Sequence, residues 1–454
     1  MKKRIISLLL ILVMLLCAVP SYATGSEPDL TAEAALLLDM TTGDVLYEKN
    51  ANAKLYPASM TKMMTCILAL ENMDLSKYIT VQYADIKGVT GDKLGLYSGE
   101  EMNVGTMISA MMVVSANDAA VVLANEMAGS VEEFAKMMNE KAAEIGCTAS
   151  NFVNPNGLHD ENHYSTCKDI AKIAQYCMEN ETFRRIVARS TFVIPPTNKS
   201  AERQLENTNF LLDDETARNR VYVDGVLRFC KYDGCIGIKT GNTAAAGGCL
   251  CAAATRNGTT LLSVVMKSGD MDRFADSIML LDWGFENFKT LRVSDPGNVA
   301  GEIKVKGGKE SSVGVIVPSI AYATVPKEAS SNLLDTKVVL DESVEAPFEA
   351  GAVVGKFQVV NGDDVISEYD IVTAAGVEAG GLFHNALVKK ILLIVAIAFV
   401  LLILIITIYV IYKRRQMAKR KAARAARRAQ LEEQEAQLRR EWEKTYHNRY
   451  RDDL

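Results

Sequence analysis

The sequence predicts an α/β chain of the α+β type. A first domain with an antiparallel sheet and a helical body is followed by a small all-β domain and one transmembrane helix. In residues 30–290, strand-like segments stand near both ends and helical segments lie between them. In residues 291–375, short alternating strands are separated by Gly, Asp and Pro turns. An uncharged apolar run of 22 residues then occupies positions 391–412.

The N-terminus has the pattern of a secretory signal peptide. Three basic residues precede an apolar run from Ile5 to about Cys17, and the small-residue sequence SYA follows. We expect cleavage near Ala23, so that the signal peptide comprises residues 1–23. A lipoprotein attachment site at Cys17 is the alternative, and the bulky Leu16 before it argues against that site.

The apolar run at 391–412 is about 33 Å long as a helix, which is enough to cross a bilayer core. A buried core helix is the alternative, and the complete lack of charge disfavours it. Nine Lys or Arg and no acid follow within residues 413–430, and such charge stays on the cytoplasmic side. We expect a cell-membrane protein of one pass, with its body outside, a linker at 376–390 and a basic cytoplasmic tail at 413–454. Anionic lipid, nucleic acid or no partner at all stay open for the tail.

Charge supports this division of the chain. The tail carries 14 basic and 7 acidic residues and the signal peptide 3 basic ones, so the rest holds 33 basic and 49 acidic residues. A net charge of about −16 makes the body a poor nucleic-acid binder. The mature cysteines are scattered and lack nearby histidines, so we expect neither a metal site nor a cofactor.

The helical body of the first domain is delimited by its turn residues. An Asn257-Gly258 pair between two apolar segments predicts a hairpin, and a second hairpin turns at residues 41–44. A break at Ser115-Ala116-Asn117 divides one long apolar stretch into two helices. The predicted elements are a hairpin at 34–49, a helix after Pro57, two helices at 104–129, a helix at 131–146, a hairpin at 248–267 and a helix at 271–288.

Three short patterns carry chemistry. They are S-x-x-K at Ser59 and Lys62, S-x-N at Ser115 and Asn117, and K-T-G at residues 239–241. Each pattern is weak alone, and their order and settings make them specific together. The first two patterns also occur by chance, at residues 165–168 and 330–332.

The first pattern has a physical use. At positions i and i+3, Ser59 and Lys62 stand on one helix face, and the helix N-terminus favours negative charge on the serine oxygen. We expect partial burial of Lys62, which disfavours its ammonium form and makes a neutral amine available as a base. Lys239 and Thr240 offer a cation and a hydroxyl to a carboxylate. The backbone N–H groups of Ser59 and Asn242 are candidates for an oxyanion hole.

Together these patterns resemble a known family. They are the signature of the serine β-lactamase/transpeptidase-like proteins, and the chain resembles the low-molecular-weight penicillin-binding proteins, the serine-type D-alanyl-D-alanine carboxypeptidases. The likeness spans residues 30–290 and includes the segments NFVNPNGLHDENHYSTCKDIAKIA and IGIKTGNTAAAGGC. The β domain at 291–375 resembles the family's C-terminal domain less specifically.

The resemblance implies an acyl-enzyme mechanism. Ser59 would attack the D-Ala-D-Ala bond of a peptidoglycan stem peptide, and Lys62 would take its proton. Ser115 would share in proton transfer, and β-lactam antibiotics would acylate Ser59. The implied substrate-binding residues are Asn117, Lys239, Thr240, Gly241 and Asn242.

The resemblance also assigns residues outside the patterns. His159, His163 and Asp169 would shape a loop near the site, and Arg273 would contact the substrate carboxylate. Residues 222–235 fit the family poorly and are expected to be a small insertion near the cleft. A full membrane span replaces the amphipathic helix in which the family commonly ends.

Three other functions stay open. A β-lactamase would need a deacylating glutamate in a loop between Asn117 and Lys239. Glu179 and Glu181 are present there without suitable surroundings. A DD-endopeptidase or transpeptidase would use the same groups on another substrate or acceptor. A catalytically inactive wall-binding module is disfavoured because every motif residue is intact.

Overall fold

The structure is a computed structural model that describes residues 26–212, 219–329, 334–362, 364–381 and 386–449. The predicted signal peptide at 1–23 lies outside the described residues, as do the chance S-x-N at 330–332 and part of the predicted linker. The predicted domain boundaries at 30–290 and 291–375 stay predictions.

Strands and helices follow one another as their turn residues indicate. The strands are β1 (Ala34–Asp39), β2 (Val45–Lys49), β3 (Tyr78–Thr80), β4 (Glu101–Asn103), β5 (Thr191–Ile194), β6 (Arg203–Glu206), β7 (Arg220–Val223), β8 (Val226–Phe229), β9 (Cys235–Thr243), β10 (Gly247–Arg256), β11 (Thr259–Ser268), β12 (Phe288–Ser294), β13 (Val299–Lys306), β14 (Ser312–Ile316), β15 (Ala321–Pro326), β16 (Asp335–Leu340), β17 (Val344–Glu345), β18 (Val353–Asn361) and β19 (Asp364–Thr373). The α-helices are α1 (Lys62–Asn72), α2 (Tyr83–Ile86), α3 (Val104–Val113), α4 (Asn117–Ala128), α5 (Val131–Glu144), α6 (Cys167–Glu179), α7 (Glu181–Val187), α8 (Asp272–Asn287) and α9 (Ala386–Arg449).

A five-stranded antiparallel sheet organises the first part of the chain. Its strand order is β2-β1-β11-β10-β9. The first two strands come from the start of the chain and the other three from about 200 residues later, so the helices between them form a separate body. The Asn257-Gly258 turn has positive φ at both residues, 50° and 83°, as a two-residue hairpin requires.

Side chains of β1 alternate between two hydrophobic cores. Leu36 and Leu38 join the larger core, which contains helices α1 and α3 to α6. Ala35 and Leu37 join the smaller core, which contains α8. Because successive strand residues point to opposite faces, the sheet is covered by the helical body on one side and by α8 on the other.

Two segments noted in the sequence have defined local structure. The predicted helix break leaves α3 ending at Val113 and α4 beginning at Asn117. The segment at 222–235 overlaps a short hairpin of β7 and β8, in which Val221 pairs with Arg228 and Val223 with Val226. Val221 and Val223 join the smaller core, and a position of this segment near the cleft stays a prediction.

The chain divides into two compact units. The first comprises residues up to Ala300 together with Ile316–Val339 and Gly355–Ile371. In this unit β12 pairs with β15 in antiparallel fashion, and the buried Asp39 carboxylate accepts hydrogen bonds from Thr290 and Thr324.

The second unit comprises Gly301–Val315, Leu340–Val354 and the chain from Val372 onward. Within it, Val305 pairs with Val344 in a parallel arrangement. Its helix α9 runs over 64 residues. In the described part of the chain, α9 alone is long and apolar enough to cross a membrane.

Candidate active site

The start of α1 positions Ser59 and Lys62. The chain enters through one 3₁₀ turn, Ala58–Thr61, and the α-helix begins at Lys62. Ser59 therefore lies one turn ahead of the α-helix, not within it. The Lys62 side chain is fully buried, and its Nζ lies 2.8 Å from Ser59 Oγ. The predicted i, i+3 pair is thus in direct contact. Lys62 is fully buried, whereas the sequence predicted partial burial.

The surroundings of Lys62 favour its neutral form. Nζ also donates to Asn117 Oδ1 and to the backbone oxygen of Asn156, both at 2.7 Å. Burial, followed by the nearby charge of Lys239, lowers the pKa of Lys62 well below its usual value. A neutral amine at this distance can accept the proton of the Ser59 hydroxyl.

Ser115 and Asn117 stand at the junction of α3 and α4. Ser115 is buried with a left-handed backbone, φ 61°, a conformation that concentrates at functional sites in non-glycine residues. Within the described residues its hydroxyl has no hydrogen bond to Ser59 or Lys62. Asn117 is anchored by its Nδ2, which donates to Thr90 O at 2.7 Å. The Asn117 side chain therefore links Lys62 to the backbone at Thr90.

The K-T-G strand lies directly against Ser59. A Cβ atom at Gly241 would lie 2.9 Å from Pro57 O and 3.1 Å from Ser59 N, so only glycine permits this approach. Lys239 is 1% exposed, and burial lowers its pKa to about 7. Its Nζ donates to the backbone oxygen of Thr240 at 3.1 Å. The strand thus places Gly241 against the Ser59 turn, with the buried Lys239 two residues earlier on the same strand.

A buried arginine adjoins the end of this strand. Asn242 Nδ2 donates to Asp270 Oδ1 at 2.8 Å, and Arg273 Nη1 donates to the same oxygen at 2.7 Å. The Arg273 guanidinium lies 4.9 Å from the centre of the Phe274 ring. Contact of Arg273 with a substrate carboxylate stays a prediction.

Asn156 and Gly157 contact the Ser59–Lys62 turn, although no sequence pattern predicted a role for them. The backbone oxygen of Asn156 accepts a hydrogen bond from Lys62 Nζ. A Cβ atom at Gly157 would lie 1.9 Å from Ala58 O, so this glycine lets the loop close on the Ser59 turn. The NPNG sequence at 154–157 is a strong turn signal, and it indicates a loop without indicating which loop contacts the lysine.

The residues assigned to loop shaping do make structural contacts. His163 is buried, with Nε2 2.8 Å from Thr61 Oγ1 and Nδ1 accepting from Val153 N at 3.2 Å. Asp169 accepts from Ala149 N at 2.8 Å. His159 is exposed and packs edge-on against Tyr56, with ring centres 4.6 Å apart. The two glutamates considered for deacylation, Glu179 and Glu181, are exposed on the surface.

Comparison with known proteins decides the family. A model described as D-alanyl-D-alanine carboxypeptidase matches residues 21–269, and one described as the C-terminal domain of penicillin-binding protein 5 matches residues 288–379. The chain belongs to the D-alanyl-D-alanine carboxypeptidase family. The predicted class, a serine-type D-Ala-D-Ala carboxypeptidase with an acyl-serine mechanism, is confirmed at the level of this family, and so is the predicted fold class.

Relatives of this carboxypeptidase cover most of its length. D-alanyl-D-alanine carboxypeptidase DacF from Bacillus subtilis is 30% identical over 84% of this chain and 96% of the relative. The crystal structure of penicillin-binding protein 5 from Haemophilus influenzae is 29% identical, covering 78% of this chain and 99% of its own, with a TM-score of 0.67. The DD-transpeptidase of Streptomyces K15 is 29% identical over 57% of this chain and 99% of its own, with a TM-score of 0.51.

Proposed function

We propose that this carboxypeptidase removes the terminal D-Ala from peptidoglycan stem pentapeptides through an acyl-enzyme on Ser59. The observation that carries the proposal is the 2.8 Å contact between Ser59 Oγ and the buried Lys62 Nζ. Lys62 takes the hydroxyl proton as Ser59 Oγ attacks the carbonyl carbon between the two D-Ala residues. The backbone N–H groups of Ser59 and Asn242 bind the oxyanion.

The two products leave in separate steps. The C–N bond breaks, and the proton held on Lys62 passes through Ser115 to the amine of the departing D-Ala. Lys62, neutral again, then takes a proton from a water molecule that attacks the ester carbon. The C–O bond to Ser59 breaks, the proton passes from Lys62 to Ser59 Oγ, and the shortened peptide leaves as its acid. Lys239 and Thr240 hold the terminal carboxylate until D-Ala departs, while Asn117 and Gly241 position the donor peptide.

The same site accounts for β-lactam sensitivity. A β-lactam carries a strained amide and a carboxylate in the positions that Ser59 and Lys239 address. Attack on the amide opens the ring and leaves an ester on Ser59. Because no amine departs, the blocked site hydrolyses slowly.

The test uses the full chain in detergent with a pentapeptide muropeptide. Mass spectrometry should show loss of one D-Ala with the wild-type protein and none with Ser59→Ala. An intact pentapeptide after incubation with the wild-type protein, or equal trimming by Ser59→Ala, would refute the proposal.

The likeness to a DD-transpeptidase supplies transpeptidation as a second candidate function, so the same incubation should be repeated with an added amine acceptor. A peptide joined to that acceptor would indicate transpeptidation.

We infer a membrane topology with the catalytic domain outside the cell and the tail inside. The support is the helix Ala386–Arg449 and the nine Lys or Arg that follow its apolar part. Thiol labelling of intact cells tests this topology with a cysteine introduced at Gln437. A membrane-impermeant reagent should label that cysteine only after the cells are opened.

A further inference from the structure

Thr208 joins two segments of the site, although it belongs to none of the three sequence patterns. Its backbone N–H donates to Val113 O at 3.1 Å, and Val113 ends α3 two residues before Ser115. Its Oγ1 lies 2.6 Å from Thr240 Oγ1. One residue therefore ties the S-x-N junction to the K-T-G strand.

The loop around Thr208 is held on both sides. Asn207 N donates to Ser190 O at 2.7 Å, and Asn207 Nδ2 donates to Arg189 O at 2.8 Å. Asn209 is buried, and its Oδ1 accepts from Leu211 N at 3.2 Å. These bonds and that of the Thr208 N–H hold the Thr208 backbone independently of its contact with Thr240.

Only one of the two hydroxyl protons can lie between the oxygens, so one threonine donates and the other accepts. If Thr240 donates to Thr208, the Thr240 oxygen presents only lone pairs to an incoming anion. If Thr208 donates, the Thr240 proton is available to the anion. Lys239 Nζ lies 3.5 Å from Thr240 Oγ1. In its ammonium form it can only donate, and a bond from it to Thr240 is compatible with either arrangement.

We propose that Thr208 is a positioning residue that donates to Thr240 and so directs the Thr240 hydroxyl at the terminal carboxylate of the substrate. The inference rests on the proposed function of Lys239 and Thr240 as carboxylate-binding groups. In the bound state the chain runs from Thr208 to Thr240 to the carboxylate, and each hydrogen bond in such a chain strengthens the next.

The test compares Thr208→Val with Thr208→Ser. Valine keeps the shape of threonine and loses the donor, whereas serine keeps the donor. We expect Thr208→Val to raise KM for a pentapeptide about fivefold, from the loss of one hydrogen bond, with kcat within about twofold, and Thr208→Ser to restore KM. Thr260→Val is the matched control, because Thr260 Oγ1 makes a similar bond of 2.9 Å to Thr255 on the same sheet.

A pentapeptide ending in a carboxamide separates positioning from a general effect on the fold. The amide lacks the anion, so Thr208→Val should lose far less on this peptide than on the acid. An unchanged KM for the acid, or an equal loss on both peptides, would overturn the inference. Melting curves of each full-length variant establish that it is folded.

A second readout keeps the inference testable if the wild-type protein leaves pentapeptide intact. The proposed hydrolysis would then have failed, yet penicillin also carries a carboxylate. The rate constant for acylation by fluorescent penicillin should fall about fivefold in Thr208→Val and recover in Thr208→Ser. Equal acylation rates in all three proteins would count against Thr208 itself.

Discussion

The chain contains S-x-x-K twice, and the two copies have opposite environments. In the first, Ser59 is partly accessible and contacts a fully buried Lys62. In the second, Ser165 is the fully buried residue, and Lys168 forms an ion pair of 2.8 Å with Glu48 at the surface. A nucleophile needs an accessible serine and a desolvated lysine, so the pattern has chemical meaning only in the first arrangement.

The second copy supports the first. Ser165 exchanges backbone hydrogen bonds with Leu55, at 2.9 and 2.8 Å, just before the Ser59 turn. Its hydroxyl lies 2.8 Å from Ser150 Oγ. The serine of the second pattern therefore helps to fix the segment that carries the serine of the first.

The largest expected contrast is between Ser59→Ala and Ser165→Ala. Loss of the nucleophile should reduce carboxypeptidase activity by about 10⁴-fold or more and abolish penicillin labelling. Ser165→Ala removes one buried hydrogen bond, so we expect about 1 kcal/mol less stability and activity within a few fold of wild type. Labelling with fluorescent penicillin and denaturant unfolding measure the two effects. Labelled Ser59→Ala protein would contradict the assignment.

The lysines should differ almost as strongly. Lys62→Arg keeps the positive charge but cannot supply a neutral base near neutral pH, so kcat should fall by about 10² to 10⁴-fold. Lys168→Gln removes an exposed ion pair worth less than about 1 kcal/mol, and its kinetics should match wild type. Steady-state kinetics with a D-Ala-D-Ala peptide measure both. Similar losses of kcat in the two variants would contradict the prediction that the buried Lys62, and not the exposed Lys168, acts in catalysis.

The separation along the chain between contacting residues explains which parts of this site could be predicted from the sequence. The helix break at 115–117 and the Asn257-Gly258 hairpin follow from local sequence, because turn residues act over a few positions. The approach of Gly241 to Ser59 joins residues that are far apart in the chain, and only the recognised pattern suggested it. Contacts that use backbone atoms or a single hydroxyl, those of Asn156 and Thr208, leave no periodic signal and were found only in the structure.

The pH profile should separate the roles of Lys62 and Lys239. The pKa of Lys239 is about 7, so its ammonium is present below that pH and is lost above it. If the ammonium binds the substrate carboxylate, kcat/KM should decline above pH 7 by up to about tenfold per unit. Deprotonation of Lys62, whose pKa is also lowered, produces the rising limb. In Lys239→Arg the decline should move to higher pH, and an unmoved decline would assign it to another group.

The last expected effect is on stability and not on activity. It concerns His163, which lies two residues before Ser165 and joins the two copies through Thr61. Burial lowers its pKa from 6.5 to about 4, so as pH falls from 6.5 to 4 the unfolded chain takes up a proton that the folded protein refuses. Stability is therefore intact above pH 6.5 and declines through this window, by about 3 kcal/mol for this group. Because His163→Gln cannot titrate, it should lose less stability than wild type between pH 7 and 4 while keeping activity within a few fold. Denaturant unfolding at each pH measures this difference, and parallel pH dependence in the two proteins would exclude His163 as its source.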